Sequence, residues 1–184
     1  MTHAEAEIRR RSAIPDEIED AGPAGERARA EVGHAAYAIN VQQYACAGLH
    51  FGSYYDRSPI IAYDGAACPP YTMATYTSST VPGCRTPHLW LAQGLADKTS
   101  LYDAVGPEFT LLRLDQTIDT GPLVAAAERR GMPLSVLDID TAAAAGLYDH
   151  KLVLSRPDQH VAWRGNALPD DPLALIDRVR GASG

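Results

Sequence analysis

Cys84, Arg85 and His88 fall within one short stretch, STVPGCRTPHLWL. A thiol, a guanidinium and an imidazole are the groups that thiol redox or general acid–base chemistry requires. A dithiol catalyst places Cys-x-x-Cys at the start of the helix after the first core strand, where the helix N-terminus lowers the thiol pKa. The stretch that would hold that position, DQTIDTGPLV, has no cysteine. Pro87 stands three residues after Cys84, and Val81 stands three before it, where a peroxide-reducing site would want Thr or Ser. Cys84 therefore reads as a small buried hydrophobe, and Cys84→Ser is expected to leave activity nearly unchanged. The segment reads as architecture: its prolines hold an extended path, and Leu89, Trp90 and Leu91 anchor it.

Arg85 and His88 have two readings. They meet an anionic or phenolic group, or they hold the segment through a salt bridge and a backbone hydrogen bond; a single histidine without a partner motif favours the second. The aromatic stretch HFGSYYD, read as extended chain, alternates His50, Gly52 and Tyr54 on one face with Phe51, Ser53 and Tyr55 on the other. One face is available to an aromatic ligand or a partner, the other to core packing. His50, Tyr55, Arg85 and His88 are the candidate pocket residues. For metals, His150 and His160 are expected near each other across a hairpin, with no third ligand, so no metal site is assigned. Asp138 and Asp140 sit at a strand end, where Asp140 beside Thr141 caps or turns. No G-x-S-x-G is present for acyl transfer.

The chain has 184 residues, 46% of them apolar, which suffices for one domain with a core and an extension. Its net charge of −7 opposes nucleic-acid binding, which rests on clustered Lys and Arg. The run Arg9-Arg10-Arg11 is short and reads as the solvated end of a helix. MTHAEAEIRRR lacks the apolar stretch of a secretory signal, and no window approaches a membrane span. Cys46, Cys68 and Cys84 are an odd number without paired spacing, which fits reduced thiols in a cytoplasm.

These side chains hang on a clear succession of elements. Residues 1–24 are a polar arm. Helical spacing of Val32, Ala36, Ile39 and of Tyr37, Val41, Tyr44 predicts a long helix from Gly25 to about Ala47, ended by Gly48. GLHFGSYYD and PIIAYDG read as extended segments, Asp64-Gly65 as a turn, and TYTSST as an edge strand or extended loop. Prolines at 59, 69, 70, 82 and 87 exclude long helices here, so residues 25–99 form a helix plus a wrapping segment. From residue 100 the pattern is regular. SLYDAV is a helical turn, EFTLLRLD a buried strand, and TGPLVAAAERRG a helix with Thr120 as cap and Gly131 past its end. PLSVLDID is a second strand, and HKLVLSRPDQHVAWRG a hairpin around Pro157-Asp158-Gln159. DDPLALIDRVRG is a final helix capped by Asp171. The order βαβ then ββα, with parallel first strands by the crossover rule, predicts an α/β thioredoxin-like domain over residues 100–184: a four-stranded mixed sheet with helices on its faces. A chain starting near Ser100 is expected to fold as a monomer, while the aromatic 25–95 half associates with itself or with a partner.

The segments GLHFGSYYDRSPIIAYDG, YTSSTVPGCRTPHLWL, SLYDAVGPEFTLLRLD and HKLVLSRPDQHVAWRG, in this order, resemble the C-terminal part of FAD-dependent aromatic hydroxylases. That group includes phenol hydroxylase relatives and aromatic polyketide oxygenases. The resemblance spans roughly residues 40–180 and implies a thioredoxin-like last domain. It also implies, for a whole enzyme, hydroxylation with FAD, NAD(P)H and oxygen. The family's GxGxxG loop and its later Gly-Asp motif are not in this chain, and LAQGLADKTSLYD is longer than the family's usual link.

The resemblance thus implies a stand-alone or split domain, an accessory or dimerisation module whose FAD and NAD(P)H would belong to a flavin-bearing hydroxylase subunit. Met1 and the polar arm favour a separate coding unit. A cofactor-free enzyme on an aromatic polyketide and a thiol redox protein remain as alternatives.

Overall fold

The computed structural model describes residues 14–91, 99–144 and 146–182. The Arg9-Arg10-Arg11 run and most of the long link before SLYD lie outside the described residues. The chain divides into two compact units, Met1–Ala47 and Gly48–Gly184.

In the first unit a 3-10 turn, Asp16–Glu19, precedes helix α1, Pro23–Tyr44. Pro23 suits the first helical turn, where its missing N–H is no loss. Arg29 ties turn to helix by donating to the carbonyls of Ile18 (2.8 Å) and Asp20 (2.9 Å). Tyr37 and Tyr44 are 70% and 69% exposed, so helical spacing marks the helix but not a buried stripe. The helix stops at Tyr44, short of the expected Gly48, because Ala45 leaves the helical region. Gly48 instead sits inside a short helix α2, Ala47–Phe51. That helix corrects the extended reading of GLHF. The alternation of His50 and Phe51 across two strand faces is lost, because in a helix neighbouring residues diverge by about 100° rather than 180°.

The second unit is built on a four-stranded sheet ordered β4-β3-β5-β6. Strand β3 (Phe109–Arg113) pairs in parallel with β4 (Leu134–Asp138), and antiparallel with β5 (Leu152–Ser155), which forms the hairpin with β6 (Val161–Gly165). This is the thioredoxin-like βαβ-ββα arrangement expected. Period-two alternation divides the core between the faces. Leu111, Leu152 and Leu154 face helices α4 (Gly121–Arg129) and α6 (Pro172–Val179), which pack on each other. Leu112, Val153 and Val161 face the other way, toward Leu89, Leu101, Ile139 and Tyr148. Both long helices thus cover one face, and short elements, helix α5 (Thr141–Ala144) among them, cover the other. The cap of α6 is Asp171, whose side chain accepts from the Ala174 N–H. At α4 the expected Thr120 cap makes no side-chain bond, and Asp119 accepts from the Gly121 N–H instead (2.9 Å).

Residues before the sheet are part of its construction. A small ladder, β1 (Trp90–Leu91) with β2 (Thr99–Ser100), leads into helix α3 (Leu101–Ala104), capped by the Ser100 side chain. Strand β6 would be a bare edge, an invitation to foreign pairing. Instead its outer groups are taken by the wrapping segment. Gly83 N–H donates to Val161 O (2.8 Å), Val161 N–H to Cys84 O (2.9 Å), and Ala62 N–H to Ala162 O (2.8 Å). The register shift after Leu154 frees that Ala162 carbonyl. Val81-Pro82-Gly83-Cys84 is a tight turn closed by Cys84 N–H to Val81 O (2.9 Å), with Gly83 at φ 101°. A side chain at Gly83 would also meet the Tyr55 carbonyl at 2.5 Å, so glycine is required on both counts. Leu89 is buried as expected, but Trp90 is 55% exposed and does not anchor the core.

Candidate functional site

The four candidate residues all lie in the second unit, where the wrapping segment meets the hairpin turn and α3. Arg85 pairs across the backbone with His160 in an isolated bridge. Its guanidinium donates to the Gln159 Oε1 (2.6 Å) and the Tyr102 hydroxyl (3.2 Å). It lies 4.9 Å from the Tyr102 ring centroid and 5.5 Å from that of Phe51, within cation–π range. Tyr102 in turn donates to the Thr86 carbonyl (2.7 Å). His88 shares a hydrogen bond with the Ser100 hydroxyl (3.0 Å) and meets Trp90 edge-on at 4.9 Å. Tyr55 donates to Asp158 Oδ2 (2.7 Å) and stands edge-on to His160 at 5.1 Å. His50 is exposed, 6.1 Å from the Phe51 ring.

Arg85 and His88 therefore meet through Tyr102, and Tyr55 reaches them through the turn residues Asp158 to His160. His50, Tyr55 and His88 do not line the cleft that holds Arg85. The cleft holding Arg85 is lined by Phe51, Tyr54, Pro69, Tyr71, Tyr76 and Cys84 among others, with a volume of about 20 Å³. That is space for a water-sized occupant and well short of an aromatic ring. Loop tips and a turn are joined here by charge-assisted and cation–π contacts, which suits a rigid clasp.

A larger open groove, about 800 Å³, runs along the C-terminal ends of β3 and β4, between Asp115, Asp138, Asp140, Tyr148, His150 and Lys151. Three of its carboxylates are engaged. Asp138 takes Arg113 (2.6 Å), Asp115 takes Lys151 (2.8 Å), and Asp140 accepts from the Ala142 N–H (2.9 Å) as the capping reading required. His150 lines this groove at the open end of the hairpin, beyond the Leu152–Gly165 pair, whereas His160 sits at the turn end beside Arg85. The two histidines are at opposite ends, which corrects the expectation of proximity: hairpin length decides it, and spacing in sequence does not. Among the described residues, no group of His, Cys, Asp or Glu has the geometry to hold a metal ion.

The cysteines carry a feature that spacing concealed. Cys84 is buried. Burial first, and then the neighbouring Cys68 thiol, push its thiol up to about 12, against Ser79 and Arg164, which lower it. A thiol so placed is a poor nucleophile at neutral pH. The second sulfur, missing from every motif around Cys84, is Cys68, which no spacing rule would have selected.

Carboxylates dominate the response to acid. Hydrogen bonds from Lys151 first, and then from the hydroxyl and the backbone N–H of Thr117, hold Asp115 at about 2. Burial opposes the charge of Asp158, yet hydrogen bonds from Tyr55 and Arg156 win and hold it below its ordinary value of 3.8. A depressed folded-state pKa adds stability that is present above the unfolded value and disappears as pH falls through the folded one. The expected result is a loss of stability between about pH 4 and pH 2, at the ordinary and the depressed value of Asp115. Urea unfolding at stepped pH checks it. A flat profile there would remove these bonds from the stability of the fold.

A flavin's pyrophosphate would need a glycine-rich strand-to-helix turn offering free N–H groups. The turn from β3 to α4 reads DQTIDT and carries Asp115 and Asp119, and Asp119 already occupies the Gly121 N–H. These residues do not fit that group. Fold and site together define a thioredoxin-like domain with no Cys-x-x-Cys in its sequence and, among the described residues, no dinucleotide cradle after its first core strand.

The chain belongs to the aromatic-ring hydroxylase C-terminal family, whose profile matches residues 79–182. Phenol 2-monooxygenase of Pseudomonas sp. (strain EST1001) is 32% identical over 176 residues, covering 86% of this chain and 28% of that protein. Tetracenomycin A2 monooxygenase-dioxygenase of Streptomyces glaucescens is 34% identical over 122 residues, covering 58% of this chain and 21% of its own length. Among solved structures, chromopyrrolic acid-soaked RebC with bound 7-carboxy-K252c superposes with a TM-score of 0.68 at 34% identity, over 98% of this chain and 34% of that one. The flavin-dependent monooxygenase PieE, in complex with FAD and substrate, gives 0.65 at 27% identity, over 91% of this chain and 31% of that one. The chain thus spans about a fifth to a third of these proteins. The resemblance read from PGCRTPHLWL, SLYD and RPDQHVAWR is correct. Among the described residues, no helix is long and apolar enough to cross a membrane.

Proposed function

We propose that this chain serves as the C-terminal accessory module of an FAD-dependent aromatic or polyketide monooxygenase, working with a flavin-bearing partner. One observation carries the reading: a family match over residues 79–182 in a chain that covers only 28% of phenol 2-monooxygenase. FAD, NAD(P)H and the hydroxylation itself belong, on this reading, to the partner. The chain contributes a rigid surface rather than reacting groups. In the second unit Leu49, Phe51, Tyr54, Tyr71 and Met73 are exposed, and Leu49 and Met73 are neighbours through a backbone hydrogen bond. Aromatic residues and Met are enriched at interface cores.

The test is purification of the chain alone and together with the product of an adjacent reading frame. Alone it is expected to be colourless after gel filtration. With its partner it is expected to co-elute with a flavin spectrum. A stoichiometric yellow chromophore on the isolated chain would overturn the reading. So would a chain that stays monomeric in light scattering and ignores every neighbouring flavoprotein.

A further inference from the structure

Cys84 is held by its backbone on both sides. It closes the turn from Val81, and the groups of Gly83 and Cys84 are bonded to Val161 on β6. Cys68 has the opposite character. It is half-buried, in a stretch without regular secondary structure, and it precedes Pro69-Pro70. Pro69, Pro70 and Cys84 line one cleft, which brings the segment of Cys68 to Cys84, and the Cys68 thiol lies near enough to raise the Cys84 pKa. One sulfur is fixed at the sheet edge and the other lies in a segment without regular secondary structure, so joining them asks for movement of that segment and not of the sheet.

We propose that Cys68 and Cys84 form a reversible intrachain disulfide when the protein meets a hydroperoxide. The Cys68 sulfur, the more accessible of the two, attacks a peroxide oxygen. The O–O bond breaks, the departing oxygen leaves as water after taking the thiol proton, and Cys68 becomes a sulfenic acid. The Cys84 sulfur then attacks the Cys68 sulfur. The S–S bond forms, the S–O bond breaks, and the Cys84 proton leaves with the hydroxide as a second water. Two thiols and one hydrogen peroxide give one disulfide and two waters; the sulfurs lose two electrons and the peroxide gains them. Conversion of Cys68 also removes one of the two influences that raise the Cys84 pKa; burial, the larger, remains, and Ser79 and Arg164 favour the thiolate.

The bond closes a loop over residues 69–83, which holds Tyr71, Met73 and Tyr76 and little regular structure. Such a cross-link restrains the unfolded chain, so oxidation raises the unfolding temperature by several degrees. This inference concerns the chain's own thiols and stands whether or not a flavin partner exists.

The experiment treats the full-length chain with hydrogen peroxide, blocks remaining thiols by alkylation after denaturation, and digests with trypsin. Arg57 and Arg85 place both sulfurs on one peptide, residues 58–85. The expected product is that peptide lighter by two hydrogens and free of alkyl groups, with both thiols recovered by dithiothreitol. Oxidation of Met73 adds an oxygen and is distinguished by its mass. Cys68→Ser is expected to abolish the mass loss and leave Cys84 fully alkylated. Because the wild-type digest is itself decisive, the test survives misfolding of the Cys68→Ser variant. Over-oxidation of Cys68 with Cys84 still alkylated, full alkylation of both thiols, or a link to Cys46 or to another chain would each overturn the proposal.

Discussion

A chain shortened to begin at Ser100 is expected to be unfolded at 25 °C, while one beginning at Gly48 keeps the cooperative transition of the full chain. This replaces the expectation that residues 100–184 fold alone. Beginning at Ser100 strips away particular side chains and bonds. Ile61 (1% exposed), Val81 (8%) and Leu89 (4%) leave the core, at about 1.5–3 kcal/mol for each buried side chain. The bonds from Ala62 and Gly83 to β6, from Thr86 to Gln159, and from the Tyr148 hydroxyl to the Pro87 carbonyl go as well, at about 1 kcal/mol each. Together they approach the roughly 5–15 kcal/mol that a whole domain has. The edge of β6 would also be open to pairing with other chains. Circular dichroism and urea titration of the two shortened chains decide it. A folded, monomeric 100–184 chain would show the wrapping segment to be dispensable cover.

The second large effect is expected from Asp64→Ala, a loss of about 3 kcal/mol. Arg164 extends from β6 with a side chain only 9% exposed, its Nε 2.7 Å from Asp64 Oδ2. Its other contact is the hydroxyl of Thr80, a residue 2% exposed, at 3.0 Å. Removing the carboxylate leaves a guanidinium with little water and one neutral acceptor, which costs more than the pair itself contributes. Replacing Arg164 by Met together with Asp64→Ala is expected to restore part of the loss, since the apolar chain fills the same space without a charge. Chemical denaturation of the single and double variants measures this. A single-variant loss below about 0.5 kcal/mol would class the pair with exposed ones.

Asp64 illustrates how far local signals reach. Asp64-Gly65 was legible as a turn, and the turn is there: Asp64 accepts from the Ala66 N–H (2.9 Å), and Gly65 has φ 85°. Its partnership with Arg164, a hundred residues on, was not legible, because nothing local requires it. The same division runs through the candidate site. Arg85 and His88 were read as holding the segment through a salt bridge and a backbone hydrogen bond, whereas their hydrogen-bond partners are the neutral side chains of Gln159, Tyr102 and Ser100, from other parts of the chain. The misread positions fail for stated reasons. GLHF lacks strong helical or strand preference and turns helical over Ala47–Phe51. Trp90, an expected anchor, faces outward on a short ladder because Leu89 takes the inward position beside it.

By itself the sequence determined the regular part of this protein: the family motifs, strands β3 to β6, helices α4 and α6, and their parallel-then-hairpin order. These depend on residues close in the chain, on period-two and period-3.6 apolar patterns, and on caps such as Asp171. The tertiary structure decided what meets across distance. It laid the proline-rich segment along the open edge of β6, put the two histidines of the hairpin at opposite ends, and brought Cys68 to Cys84. In a segment without periodic structure the backbone bonds go to distant partners, and no spacing rule records which ones they will be.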